Sequence, residues 1–426
     1  MSKISILKST SSGRINLPAS KSDAHRKIIC ASLSVGESSI LTNVTLSNDI
    51  NATIECMRTL GADIKFEDNK LFITGIKDLT PKDEVVLNAG ESGSTLRFLI
   101  PLASLLAKRV IFKGSTKLMS RPLGPYQEIY KEHMVINEDS LIIDAPLKAK
   151  QYSIPGDISS QFISGLLFAL PLLKKRSNVF IYGEYESESY VEMTLDTLKE
   201  YGIRIKYDRP LYHPEITIQG NQQYKSVNNS IEGDCSQLAF LASLGLLNND
   251  VLVTGIPSKT KQGDRAIIDY LVKIGGDIER IDETSYLFKK SNLEGGTLDL
   301  ADTPDLGPML IALGSYCSKG LVLENTRRLR FKESDRAIAM EEELNKFGAK
   351  VIVEDNKVII PKADLTSPIK EINPHNDHRI IMSLAVIATL FEKVTFDNKE
   401  CVNKSYPGFF EDLEKLGIRK EENNDW

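Results

Sequence analysis

The 426-residue chain carries 53 Lys plus Arg against 58 Asp plus Glu, a formal net charge of −5 that excludes a general nucleic-acid-binding role. At roughly 100–200 residues per domain its length calls for two or three domains, and 41% hydrophobic with 26% charged residues excludes long disorder. Five scattered cysteines (Cys30, Cys56, Cys235, Cys317, Cys401) lack CxxC spacing, which excludes a disulfide scaffold or a cysteine-based zinc site and fits a reducing cytoplasm.

The opening segment, MSKISILKSTSSGRINLP, holds a short strand, ISILKS, but neither the apolar core nor the cleavage site of a signal peptide. Later apolar runs, such as 162–173 and 238–247, fall short of the ~20 residues that cross a bilayer. A soluble, cytoplasmic protein is expected.

Each apolar run follows a short polar loop: PASKSDAHR at 18–26, NAGESGST at 88–95, PGDISSQ at 155–161, EGDCSQ at 232–237, DTPDLG at 302–307 and NPHNDHR at 373–379. Anchors near 21, 91, 159, 235, 305 and 376 are 70, 68, 76, 70 and 71 residues apart, so six repeats account for the chain. Within a repeat a nearly all-apolar helix comes first, and such a helix must be buried all round. A short β stretch, an amphipathic helix and a hairpin of alternating residues follow. Five of the six amphipathic helices run into a glycine (Gly61, Gly202, Gly275, Gly348, Gly417), the ordinary helix terminator; the second, ending IYKEHMV, does not. The sixth repeat lacks its hairpin, and the spare strand ISILKS is available to close that sheet. The pattern predicts an α/β protein of two three-repeat domains, 14–229 and 1–13 with 230–426, with buried helices and outward-facing sheets.

The polar loops all lead into helix N-termini, whose unpaired N–H groups favour anions. Cations gather beside them: Lys21, Arg26, Arg97, Lys117, Arg121, Arg327 to Arg330, Lys332, Arg336, His378, Arg379 and Lys404. Small phosphates or carboxylates suit such a set. A plainer reading makes the loop serines helix caps and RRLRFKESDR a solvated, salt-bridged stretch. His375, Asp377 and His378 lack the spacing of a general metal motif, and Walker and Rossmann glycine loops are absent.

LPASKSDAHR, GESGSTLRF, SRPLG, PGDISSQF, RFKESDR, NDHR and NKSYPGFF, in this order, resemble the 5-enolpyruvylshikimate-3-phosphate synthase family of enolpyruvyl transferases, from about Ile15 to Phe410. The resemblance implies two inside-out α/β barrel domains of three βαβαββ-like repeats each, with the active site in the cleft between them. It implies transfer of the enolpyruvyl group of phosphoenolpyruvate to the 5-hydroxyl of shikimate 3-phosphate, with release of phosphate, in the shikimate pathway to chorismate and aromatic amino acids. No cofactor and no metal are implied. Phosphoenolpyruvate and shikimate 3-phosphate would be the only partners of a monomer that binds neither nucleic acid nor membrane.

Carried over by position, Lys21, Ser22, Arg26, Ser159, Ser160, Gln161, Ser187, Asp305 and Lys332 would bind shikimate 3-phosphate, with Tyr190 a further contact. Lys21, Gly93, Ser94, Arg121, Gln161, Arg336, Arg379 and Lys404 would bind phosphoenolpyruvate. Asp305, assisted by Lys21, would take the hydroxyl proton, and Glu333 would protonate C3 of the donor. Glu91 and Arg328 stand where asparagine is common, and Glu188–Ser189 replace a common Lys-Pro. Two alternatives stay open: a transferase acting on UDP-N-acetylglucosamine, whose usual loop cysteine is missing from residues 108–130, and a non-catalytic anion-binding protein of the same fold.

Overall fold

The structure, a computed structural model, describes residues 2–209 and 214–423. The chain divides into two compact units, Ala19–Ile231 and Met1–Pro18 with Glu232–Trp426. Each is built from three α/β repeats.

One repeat shows how sequence pattern becomes structure. Strand Lys82–Gly90 leads into the buried helix Gly93–Leu106, which returns along the parallel strand Ala107–Gly114. Two short helices follow, and the hairpin of Met134–Ile136 and Ser140–Ile143 completes a four-stranded sheet. Leu87, Phe112 and Leu141 lie in one cross-strand row and are fully buried, whereas Val86 on the opposite face is 49% exposed. That alternation lays one sheet face on the helices and turns the other to solvent. Helix Gly93–Leu106 exposes almost nothing, as its nearly all-apolar sequence requires. It crosses helix Ser160–Ala169 closely at Gly165, where a Cβ would lie 2.4 Å from the Arg97 carbonyl oxygen. The Tyr126 hydroxyl donates to the same carbonyl at 2.7 Å and secures the crossing.

The second repeat needs no terminating glycine. Lys131 takes the left-handed turn itself, at φ +52°, and a 3₁₀ turn, Lys131–His133, follows. In the last repeat the strand Lys3–Leu7 lies antiparallel between Lys393–Phe396 and Lys420–Asn423, with Ile4 and Ile6 fully buried.

The expected boundary at residue 14 is corrected. Strand Arg14–Asn16 pairs in parallel with Val251–Thr254, so the chain stays with the second unit until Pro18. Conversely, Asn229–Ser230 pairs with Ser38–Thr42, which keeps residues through Ile231 in the first. Each of these strands precedes a buried helix of one unit and joins a sheet of the other.

Candidate active site

Capping side chains set the starts of five of the six buried helices. Ser20, Ser92, Ser159, Asp234 and Asp377 each accept a backbone N–H of the first turn. The sixth, Gly307–Gly314, is entered through the 3₁₀ turn Pro304–Leu306, which carries Asp305.

In the unit Ala19–Ile231, Lys21 opens its helix and its Nζ donates to Asp49 Oδ2 at 2.8 Å, at the start of helix Asn48–Leu60. Arg26, one turn on and 2% exposed, spends its guanidinium on Ser22 O (2.7 Å), Tyr190 O (2.9 Å) and Thr194 Oγ1 (2.8 Å). Burial lowers it to about 10, so it stays cationic at neutral pH. Gln161 ties the start of its helix to the start of helix Gly93–Leu106: its Oε1 accepts from Arg97 Nη1 and its Nε2 donates to Ser94 Oγ, both at 2.9 Å. Arg121 lies over Gly93, where a Cβ would come within 2.8 Å of its Nη1. Ser160 is buried beside the cap Ser159. Ser187 is buried at φ +54° before helix Glu188–Glu200, a strained backbone of the kind that clusters at functional sites. Glu188 bonds Tyr207 and pairs with Arg209, so local partners balance its charge.

In the other unit the predicted residues converge on one carboxylate. Asp305 Oδ1 accepts from Arg336 Nη1 at 2.7 Å and Lys332 Nζ at 3.0 Å, and Arg379 Nη2 lies 3.4 Å from Oδ2. Burial alone would raise Asp305, but Arg379, Lys332 and Arg336 hold it well below the usual carboxylate range. Arg336, 1% exposed, also donates to Glu333 Oε2 at 2.7 Å and Asp377 Oδ2 at 2.9 Å, and these carboxylates raise it despite burial. Lys332 is lowered by burial and by the cations Arg328 and Arg336, against the pull of Asp305. Arg328 itself donates to Ala301 O at 3.1 Å. Arg379 reaches Ser236 Oγ at 3.1 Å, and Lys404 is buried next to Ser405, which accepts from Gln237 Nε2 at 3.2 Å. Three carboxylates thus meet three cations, and an incoming anion would exchange partners with Asp305, Glu333 or Asp377.

Sequence similarity decides the family. The family model described as EPSP synthase (3-phosphoshikimate 1-carboxyvinyltransferase) matches residues 8–413. The chain belongs to the EPSP synthase family. It is 41% identical over 424 residues to a 3-phosphoshikimate 1-carboxyvinyltransferase of Clostridium perfringens, covering 98% of this chain and 99% of the relative. It is 42% identical to one of Clostridium kluyveri, covering 98% of each. The fold matches EPSP synthase from Acinetobacter baumannii with a TM-score of 0.78 at 23% identity over the full length of both chains. The enolpyruvyl transferase NikO from Streptomyces tendae also matches, with a TM-score of 0.78 at 14% identity over 99% of each chain.

Three residues of the clusters are not legible as site residues in the sequence. Asp49 holds Lys21 from 28 positions away, and Ser236 holds Arg379 from 143. Asp377, by its sequence neighbours only a metal candidate, instead anchors Arg336, accepts from Ser334 Oγ at 2.9 Å and caps the Arg379 helix. The one signal for it is its place before the helix, where an N-cap aspartate is ordinary. Among the described residues no helix is long and apolar enough to cross a membrane.

Proposed function

We infer that this protein transfers the enolpyruvyl group of phosphoenolpyruvate to the 5-hydroxyl of shikimate 3-phosphate by addition and elimination. The observation that carries the residue assignment is Asp305, a carboxylate held ionised by Lys332, Arg336 and Arg379 with Glu333 on the same guanidinium. Membership of the EPSP synthase family supplies the reaction.

Both substrates are multiply charged anions, and both clusters offer cations at helix starts. In this reading Lys21, Ser22, Arg26, Ser159, Ser160, Gln161, Ser187, Asp305 and Lys332 serve shikimate 3-phosphate, Arg26 chiefly by holding the Tyr190 turn. Lys21, Gly93, Ser94, Arg121, Gln161, Arg336, Arg379 and Lys404 serve phosphoenolpyruvate. A carboxylate gripped by three cations is a weak base. Once the donor's carboxylate and phosphate draw Arg336 and Arg379 away, Asp305 gains basicity and accepts the 5-hydroxyl proton as oxygen attacks C2. Glu333, released from Arg336 by the same exchange, takes up a proton and delivers it to C3. In the elimination the C3 proton returns and phosphate leaves. The enol ester is already activated, so anion binding and proton transfer suffice.

Replacing Glu333 by Gln tests the assignment. The variant is expected to bind both substrates while turnover falls about 10²–10⁴-fold, because an amide cannot deliver that proton. If Glu333 only pairs with Arg336, turnover stays within about threefold, well outside the general-acid range.

A further inference from the structure

Loop 373–377, which delivers Asp377 and Arg379 to the cluster, is fastened twice to helix Arg336–Asn345. The Asp377–Arg336 ion pair is one fastening. The other is Glu343, seven residues after Arg336, whose side chain is 3% exposed. Its Oε2 accepts from the Asn373 backbone N–H at 2.9 Å and from Lys346 Nζ at 2.7 Å, and its Oε1 lies 3.3 Å from His375 Nε2. Although burial alone would raise this carboxyl, bonds from His375, Lys346 and Asn373 hold it below its usual range. An ionised carboxylate only accepts, so His375 Nε2 carries the hydrogen between them.

Between the two fastenings, His375 and Asn376 both sit at φ +52°; asparagine takes this left-handed conformation readily, whereas for His375 it is uncommon and costs backbone energy that its contacts offset. We propose that Glu343 is a positioning residue: by gripping Asn373 and His375 it imposes that path and so sets Asp377 and Arg379 against Arg336 and Asp305. Glu342, Glu343 and His375 bring their donor atoms within 4.8 Å of one another, a spacing a cation could use. The Lys346 ammonium already neutralises Glu343, which makes the group a clasp. The kinetic consequence, though not the clasp itself, rests on Arg336 and Arg379 being phosphoenolpyruvate ligands.

The experiment combines amide hydrogen exchange with steady-state kinetics on the full chain for Glu343→Gln, His375→Ala and Arg379→Ala. His375 is 25% exposed, so its truncation spares the core if the buried Glu343 variant folds poorly. Faster exchange at Asn373 and across 375–380 in the first two variants is expected. Their KM for phosphoenolpyruvate should rise about ten- to a hundredfold while KM for shikimate 3-phosphate stays put, the cost of a displaced positioning group. Unchanged exchange in both variants overturns the clasp. Faster exchange with an unmoved KM, while Arg379→Ala raises it, overturns the positioning role. Faster exchange with Arg379→Ala itself leaving that KM unmoved keeps the clasp and refutes the ligand assignment.

Discussion

Asp305 and His25 show opposite uses of burial at the scale of one residue. Cations keep Asp305 charged, so Asp305→Asn removes a group that three of them hold. That variant should turn over about 10²–10⁴-fold more slowly. Its affinity for shikimate 3-phosphate, measured by calorimetry, should also fall; a variant at parental rate contradicts the base assignment. His25 is fully buried, its Nδ1 bonded to Thr53 Oγ1 at 2.7 Å. Burial first, then the cations Lys21 and Arg26, push it down to about 3 against the pull of Asp49. The unfolded chain therefore binds a proton before the folded one does. The stability this residue confers is complete above its ordinary value and falls as pH drops toward 3, by about 1.4 kcal/mol per unit. Urea unfolding at about pH 7 and about pH 5 should show a smaller loss in His25→Gln than in the parent, and equal losses would contradict the account. Lys332, Glu333 and Arg336 are picked out in the sequence only by the family resemblance of RFKESDR, a single short motif that holds all three. Asp49 and Ser236 are not, because only tertiary packing brings them to their partners.

At the scale of elements, the buried helices are legible from apolarity alone, and the loop serines prove to be both caps and candidate ligands. Ser159 caps its helix and stands beside Ser160 and Gln161, so the plain and functional readings coexist there. The helix at Gly93 is the sharpest test. A methyl group there would meet Arg121 Nη1 at 2.8 Å, the mobile end of a flexible side chain. Gly93→Ala should therefore fold normally, displace Arg121 and raise KM for phosphoenolpyruvate severalfold without changing that for shikimate 3-phosphate. An unchanged KM would show that Arg121 is not held over this helix start. The second repeat misleads for a different reason: Lys131 takes a positive φ at the helix end where the other repeats place glycine, which no sequence signal announces.

Over the whole molecule, the near-70-residue spacing of the polar loops is enough to make the six-repeat plan readable. What that spacing does not resolve is which sheet receives Arg14–Asn16 or Asn229–Ser230. A short strand before a buried helix has the same pattern whether it pairs within its own repeat or elsewhere. The strand Lys3–Leu7 pairs with residues about 390 and 420 positions on, so the last sheet depends on the opening of the chain. Ile6→Ala, at a fully buried position, should lower stability by about 2–5 kcal/mol and is checked by urea unfolding; a loss under about 0.5 kcal/mol would mean the strand is dispensable. Phosphate release is followed with phosphoenolpyruvate alone, with added shikimate 3-phosphate, and with added UDP-N-acetylglucosamine. Release that requires shikimate 3-phosphate and yields its 5-enolpyruvyl ether is the expected result, whereas no release, or release with UDP-N-acetylglucosamine instead, would contradict the account.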